Sequence, residues 1–301
     1  RENLFMTHLN FQVFIGCYLH KGVKIIVFCP PKRRKVKALF NSTTDEHLVQ
    51  DAGHILIEAG SYGLTIIWYH REEKAIKGIQ TFQYVGTDAN EYPAQIQQVL
   101  RALEIEDQQV RLLYNNKESL PVPVEYHPAD ADARMMGLFF GNEEGIMYCG
   151  KVQGDDQTEV IYRVCAPVAR YFESHFPGIE PAHATQFQIA GCTEGITCTI
   201  YPNYIKIFLV QHNVLQLVQY FDFQTPKDAA YHLLNICDIY SINWETVSLK
   251  ISGMIDPESN LYSELSRYFL NIQPDHAAIS WPDSMDASTH HYFSQLTAAL
   301  S

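Results

Sequence analysis

Residues 196–223 read ITCTIYPNYIKIFLVQHNVLQLVQYFDF, and this stretch decides the fold. Its apolar, β-branched and aromatic residues predict three strands, at 196–201, 204–211 and 214–223. The turns between these strands are only two residues long, Pro202-Asn203 and His212-Asn213. Strands joined by such short turns pair antiparallel, so the stretch predicts a three-stranded meander.

A helix, a fourth strand and a second helix are predicted after this meander. Thr225 is a favourable N-cap residue, and Asp228 stands where it can close a capping box, so the first helix is predicted from residue 226 to about residue 240. Residues 247–251 predict the fourth strand. Apolar residues at four-residue spacing predict the second helix at 259–270.

The first half of the chain repeats this order of elements. Its predicted elements are strands at 54–60, 64–70 and 75–85, a helix at 93–105, a strand at 110–114 and a helix at 129–140. Between the halves, the pattern predicts strands at 145–152 and 159–164 and a helix at 167–175. The repeated order predicts an α/β fold of two tandem ribonuclease-H-like domains, as in the actin-like ATPase superfamily, each a mixed five-stranded sheet with helices.

The charge distribution sets the N-terminal segment apart from the rest of the chain. Residues 1–37 contain eight lysines and arginines and one acid, whereas the whole chain carries 22 basic and 34 acidic residues. We therefore predict a basic N-terminal extension at 1–45, an actin-like domain I at 46–190 and an actin-like domain II at 191–301. The extension is a β-hairpin or an appended segment foreign to the domain, with a weak membrane anchor as the second alternative.

The composition excludes some classes of function. The net charge of −12 over 301 residues argues against a nucleic-acid binder, whose surface would be basic. The seven cysteines are odd in number and none lies at CxxC spacing. This pattern predicts reduced, mostly buried thiols and a cytoplasmic protein.

Three segments of the second half resemble a known family. They are residues 218–239 (VQYFDFQTPKDAAYHLLNICDI), 249–255 (LKISGMI) and 262–271 (YSELSRYFLN). As an ordered set they resemble the domain-of-unknown-function 3822 family of Bacteroidetes, over about residues 48–300. The resemblance implies an actin-like ATPase fold and brings no assigned activity with it.

Actin-like ATPases hold the nucleotide phosphates between two hairpin turns, each with an acid followed by glycine. By this resemblance, the weak nucleotide-binding candidates in the first half are Glu58, Gly60, Ser61, Tyr62 and Gly63. Gly253 is a further weak candidate, at the strand end that contacts adenosine in the superfamily. Plain turn chemistry is the competing explanation: glycines with positive φ in a hairpin, and a solvated carboxylate at Glu58.

The matching turn of the second half departs from the superfamily pattern. Pro202-Asn203 has neither acid nor glycine, and proline lacks the N–H that a phosphate would need. We therefore predict no catalytic residues and no cofactor, with ATP and Mg²⁺ as the lesser alternative.

Histidines give no further site at this stage. Neighbouring side chains on a regular helix or strand point to different faces, so His290 and His291 are not expected to form a metal site, and none is predicted. His175 and His183 are interpreted as solvated loop residues.

The main functional hypothesis is a catalytically inactive binding or scaffold module with an unidentified protein partner. It is similar in this respect to the actin-like components of type IV pilus and type II secretion assemblies. The alternative is a nucleotide-binding ATPase or kinase-like enzyme with degenerate phosphate loops. Membrane association through the N-terminal extension is a minor alternative.

Overall fold

The structure, a computed structural model, describes residues 15–20, 23–28, 36–43, 53–105, 109–126, 132–275 and 289–301. The chain divides into a small unit, Arg1–Lys35, and a large unit, Val36–Ser301. In the small unit, β1 (Ile15–His20) pairs antiparallel with β2 (Val23–Phe28), as the hairpin alternative predicts. Among the described residues, no helix is both long and apolar enough to cross a membrane.

The large unit contains both strands and helices. Its strands are β3 (Lys37–Thr43), β4 (His54–Gly60), β5 (Gly63–His70), β6 (Ala75–Gln83), β7 (Gln109–Asn115), β8 (Ser119–Pro123), β9 (Gly145–Val152), β10 (Asp155–Cys165), β11 (Ala182–His183), β12 (Gly195–Ile200), β13 (Tyr204–Gln211), β14 (Val214–Asp222), β15 (Leu249–Gly253) and β16 (Ile272–Pro274). Its α-helices are α1 (Tyr92–Ala102), α2 (Asp132–Phe140), α3 (Ala166–His175), α4 (Ala184–Gly191), α5 (Pro226–Ile239), α6 (Asn260–Leu265) and α7 (Phe293–Leu300). Short 3₁₀ turns occupy Ala89–Glu91, Val124–Tyr126 and Thr289–Tyr292.

The first sheet has the strand order β11-β7-β4-β5-β6-β3 and is covered by helices on both faces. Its central strand β4 runs parallel to β7 and antiparallel to β5. Strands buried on both faces read as continuous apolar runs, which explains the sequence HILIEAG of β4. The sheet has six strands and not the predicted five, because β3 adds to the edge of β6.

The second sheet has the predicted five strands, in the order β14-β13-β12-β15-β16. Strand β12 pairs antiparallel with β13 and parallel with β15. Helices α5 and α6 cover one face and bury Leu233 and Leu265 against it. The Thr225 hydroxyl and the Asp228 carboxylate close the predicted capping box at the start of α5. Two sheets flanked by helices confirm the predicted α/β class.

A small sheet lies between the two repeats in sequence. It has the strand order β8-β10-β9, and Val122, Met136 and Ile161 form its own apolar cluster with helix α2. The strands predicted at 145–152 and 159–164 are confirmed, and the second of them is longer than predicted.

The C-terminal helix α7 packs onto the first sheet. Leu296, Ala298 and Ala299 are fully buried, in one cluster with Leu56 and Ile67 of that sheet. The polypeptide therefore returns to the first sheet after completing the second. The domain boundaries at 45 and 190 stay predictions.

Helix α6 is shorter than predicted. It ends at Leu265, because the N–H groups of Arg267 and Tyr268 bond three residues back and tighten the chain into turns. Of the seven cysteines, the structure describes five side chains, and all five are free. Two of these five, Cys198 and Cys237, are fully buried, whereas the sequence predicted that most would be.

Candidate functional site

A cavity of about 390 Å³ lies between the first and second sheets. It is lined by Gly60, Asn115, Ile200 and Gly253, which are the last residues of β4, β7, β12 and β15. The carboxyl ends of neighbouring parallel strands are where α/β folds place their ligand sites. The cavity therefore occupies the position expected of a binding site.

The structure brings all six sequence-derived candidates to this cavity. Its lining includes Glu58, Gly60, Ser61, Tyr62, Gly63 and Gly253. Residues 58–63 come from the end of β4 and the turn into β5, and Gly253 comes from the end of β15 in the other sheet. Nucleotide binding by these residues stays a prediction.

Glu58 is buried, and the interpretation as a solvated carboxylate is wrong. Its side chain is 6 % exposed, and its Oε1 accepts a hydrogen bond of 3.0 Å from Nε2 of Gln295 on α7. Burial raises the pKa of Glu58 from 4.5 to about 7, although Asn115, Gln295 and Lys206 each lower it in part. A carboxyl group with this pKa gains or loses its proton near neutral pH.

The glycines of the site are required by packing. Neither Gly60 nor Gly63 has a positive φ, so the predicted left-handed hairpin conformation is wrong for both. A Cβ on Gly63 would overlap the carbonyl oxygen of Phe82 on the adjacent strand. Gly253 has φ +85°, and a Cβ there would overlap the carbonyl oxygen of Ile200. Close approach of the backbone therefore explains Gly63 and Gly253 without a ligand.

Aromatic side chains line the cavity between the two hairpin turns. The Tyr201 ring stacks on the Tyr204 ring at a centroid distance of 4.3 Å and an interplanar angle of 10°. The Tyr62 ring, from the turn of the first sheet, lies 5.8 Å from the Tyr204 ring. We call Tyr62, Tyr201 and Tyr204 the tyrosine cluster. It joins the turn of one sheet to the turn of the other.

The tyrosine cluster is held by polar contacts from the first half of the chain. Asn115 Nδ2 donates a 3.0 Å hydrogen bond to the Tyr201 hydroxyl, and Gln188 Nε2 donates one of 3.4 Å. Burial raises the pKa of Tyr201, so the phenol stays protonated at neutral pH. The Tyr201 side chain therefore connects the second sheet to the end of β7 in the first sheet.

A buried lysine lies behind the tyrosine cluster. Lys206 is fully buried on β13, and its Nζ donates to Thr185 Oγ1 at 2.6 Å and to Gln188 Oε1 at 2.5 Å. Burial holds the pKa of Lys206 well below its usual value. These bonds join the second sheet to α4, which packs in the first half.

His183 is also buried, so its interpretation as a solvated loop residue is wrong. Its Nδ1 accepts the N–H of Thr185 at the start of α4, and its own backbone N–H donates to Gln186 Oε1 at 2.6 Å. Burial holds its pKa well below 6.5. His175, in contrast, is exposed as predicted.

The described lining of the cavity offers acids but neither lysine nor arginine. Glu58 and Asp256 are its carboxylates, and His291 is its imidazole. Enzymes that transfer phosphoryl groups surround the phosphates with cationic side chains, metal ions and backbone N–H groups. Among the described lining residues, no lysine or arginine supplies such a charge.

His290 and His291 lie together despite their adjacent positions in the sequence. They occupy a 3₁₀ turn, their ring centroids are 4.2 Å apart, and Asp256 approaches both. The expectation that adjacency keeps the two rings apart is wrong. One potential ligand atom from each of these three side chains lies within 4.8 Å of the other two, and Asp256 and His291 line the cavity.

Sequence reasoning missed Asn115, Gln188 and Gln295, because amides in those positions carry no local signal of a site. Lys206 did carry one. It is a single charge in the otherwise apolar strand YIKIFLVQ, a pattern that indicates a lysine held inside the protein.

Comparison with known proteins places the chain in context. The sequence profile of a family described as protein of unknown function (DUF3822) matches residues 45–272. No curated protein matches the chain.

Solved structures with the same fold are similar to most of the chain. A Bacteroides thetaiotaomicron protein, described as having an actin-like ATPase fold and unknown function, is 14 % identical, with a TM-score of 0.65 over 83 % of this chain and 98 % of its own. The PilM-PilN type IV pilus biogenesis complex contains a chain that is 8 % identical, with a TM-score of 0.51 over 83 % of this chain and 99 % of its own. The predicted actin-like fold and the DUF3822 resemblance are confirmed.

Proposed function

The chain belongs to the DUF3822 family of proteins of unknown function, and from that premise we propose that it is a catalytically inactive actin-fold module that binds a protein partner. It acts in the cytoplasm, as its cysteine pattern predicts.

One observation carries the proposal of inactivity. The Tyr201 side chain, stacked on Tyr204, bonds to Asn115 across the space between the two hairpin turns. In the actin-like superfamily this is the space for the nucleotide phosphates. A triphosphate reaching Asn115 from this cavity would compete with the Tyr201 ring and its two hydrogen bonds.

Glu58, the carboxylate near the end of β4, supports the same conclusion. Burial raises the pKa of Glu58, so a cation bound here would have to displace a proton held near neutral pH. Its Oε1 is already bonded to Gln295. Asp256, the other carboxylate of the lining, lies in the loop after β15 and not in a hairpin turn.

An exposed apolar surface on α2 supports a protein partner. Leu138 is 84 % exposed and Phe139 is 65 % exposed, although both belong to a helix that packs on the small sheet. Exposed apolar side chains of this size are typical of protein interfaces. The similar PilM-PilN structure is itself a protein complex, which favours this use of the fold.

A phosphate-release assay with Mg²⁺ and ATP tests the inactivity. We expect the wild-type chain to release phosphate no faster than Glu58→Gln or buffer alone. Release by the wild-type chain that falls in Glu58→Gln would contradict the proposal and favour the enzyme.

Crosslinking in the native host, followed by identification of the captured protein, tests the partner. We expect one protein to be captured by the wild-type chain and lost with Leu138→Asp. Leu270→Asp is the matched control, because Leu270 is 73 % exposed outside α2. Equal capture by Leu138→Asp, or no enriched protein, would contradict a partner on this surface.

Small-molecule binding is the second candidate function. The cavity volume of about 390 Å³ lies within the usual range for ligand pockets, about 300–1,000 Å³. The candidates Glu58 and Gly60 line it, so a degenerate nucleotide site stays the alternative.

A further inference from the structure

Three metal-ligating side chains meet at the edge of the cavity. Asp256 lies in the loop after β15, and His290 and His291 lie in the 3₁₀ turn before α7. One ligand atom from each side chain lies within 4.8 Å of the other two. The loop and the turn are more than thirty residues apart in the sequence, so the fold brings them together.

Hydrogen bonds orient these groups for a cation. His290 is buried, and its Nε2 lies 2.8 Å from the carbonyl oxygen of Ile255. Since a carbonyl can only accept, Nε2 carries a proton. Metal-binding histidines commonly donate their other nitrogen to a carbonyl in this way, which fixes the tautomer and the ring.

The other two ligands are already in contact. His291 Nε2 lies 2.9 Å from Asp256 Oδ1. In a tetrahedral zinc site, ligands at about 2.1 Å from the metal are about 3.4 Å from each other. His291 Nε2 and Asp256 Oδ1 therefore need to move slightly apart to bind one ion. Any pair of ligand atoms near the 4.8 Å limit needs to move closer together. The Asp256 side chain is 69 % exposed and the His291 side chain is 25 % exposed, so both can adjust.

We propose that Asp256, His290 and His291 bind one divalent transition-metal ion of the zinc class. Two imidazole nitrogens and one carboxylate oxygen suit Zn²⁺, whereas Mg²⁺ and Ca²⁺ favour sites made of oxygen ligands. Asp256 and His291 line the cavity, so the fourth coordination position opens towards it and takes water or a ligand.

The bound ion joins two parts of the large unit. Asp256 follows the second sheet, whereas the 3₁₀ turn leads into Gln295, which bonds to Glu58, and into Leu296, which is buried on the first sheet. The ion therefore fixes the start of the C-terminal segment against the second sheet. This role is independent of whether the protein binds a partner or a nucleotide.

Calorimetric titration of Zn²⁺ into the full chain, free of any affinity tag and dialysed against chelator, tests the site. We expect one ion per chain, with affinity at least about tenfold lower in His291→Ala and in Asp256→Asn. These two side chains are the more exposed ligands, so their replacement leaves the fold intact. His175→Ala is the matched control, because His175 is an exposed histidine outside the group, and it should bind as the wild type does.

Co²⁺ gives a second readout, because its visible absorption reports nitrogen and oxygen ligands in a tetrahedral site. We expect the wild-type chain and His175→Ala to show this absorption and the two ligand variants to lose it. Unchanged Zn²⁺ affinity in both ligand variants, no binding to the wild type, or preference for Mg²⁺ over Zn²⁺ would overturn the proposal.

Discussion

Glu58 couples its protonation to folding, because it is a carboxyl group held away from water at the end of a buried strand. Its pKa is about 7 in the folded protein and 4.5 when unperturbed. Between these values the folded protein keeps a proton that the unfolded chain has released. The free energy of unfolding therefore falls as the pH rises through this window, and the effect of this group levels off above pH 7.

We expect Glu58→Gln to remove this part of the pH dependence. At about 1.4 kcal/mol per pH unit, the wild type should lose about 3 kcal/mol relative to the variant between pH 4.5 and pH 7. Urea unfolding at a series of pH values measures the difference. Glu180→Gln, at an exposed loop position, should keep the wild-type profile. Parallel wild-type and Glu58→Gln profiles would show that Glu58 is not buried as described.

The Tyr201 hydroxyl stabilises the contact between the two sheets. Tyr201→Phe keeps the stacked ring but removes the acceptor for Asn115 and Gln188. We expect a loss of about 1–3 kcal/mol in the free energy of unfolding, because a buried amide loses its partner. Tyr231→Phe is the control, since Tyr231 is 64 % exposed, and it should change stability by less than about 0.5 kcal/mol. Equal effects of the two substitutions in urea unfolding would argue against the bridging role of Tyr201.

At the scale of elements, helix α7 is held to the first sheet by buried apolar side chains. Leu296 is fully buried in the cluster that includes Leu56 and Ile67. We expect Leu296→Ala to lower the free energy of unfolding by about 2–5 kcal/mol, because it leaves a cavity in that cluster. The matched change Leu270→Ala, at a position that is 73 % exposed, should have little effect. If both variants unfold at the wild-type urea concentration, α7 is not docked as described.

Local sequence signals predicted the elements that depend on local interactions. Strands β4, β5, β12 and β13 follow from apolar runs between short turns, and the start of α5 follows from its capping box. The pattern missed β3 and α7, because their stability comes from partners far away in the sequence. Strand β11 is two residues long and gives no periodic signal at all.

At the scale of the whole molecule, the sequence predicted part of the cavity lining. The superfamily pattern led to six candidates that all line one cavity: Glu58, Gly60, Ser61, Tyr62, Gly63 and Gly253. The hydrogen-bond partners in the site lie far apart in the sequence. Gln295 is 237 residues from its partner Glu58, and Tyr201 is 86 residues from its partner Asn115. The tertiary fold brings these partners together, so local sequence motifs could not predict the contacts.

The arrangement of the whole molecule is the physical basis of the proposed inactivity. Three contacts join the first half of the large unit to the second sheet around the cavity: the Tyr62–Tyr204 ring contact, the Asn115–Tyr201 hydrogen bond and the bond of Lys206 to Thr185. Opening the cavity would break several buried hydrogen bonds together, and each broken bond costs about 1–3 kcal/mol when a partner is left unsatisfied. We therefore expect these contacts to hold the two sheets in the described arrangement in solution.

Calorimetric titration of ATP with Mg²⁺ into the wild-type chain tests most directly the proposal that this cavity does not work as a nucleotide site. We expect no saturable heat at millimolar ATP. One-to-one binding by the wild type that weakens in Glu58→Gln would contradict the proposal, since the nucleotide would then occupy the cavity that Glu58 and the tyrosine cluster line.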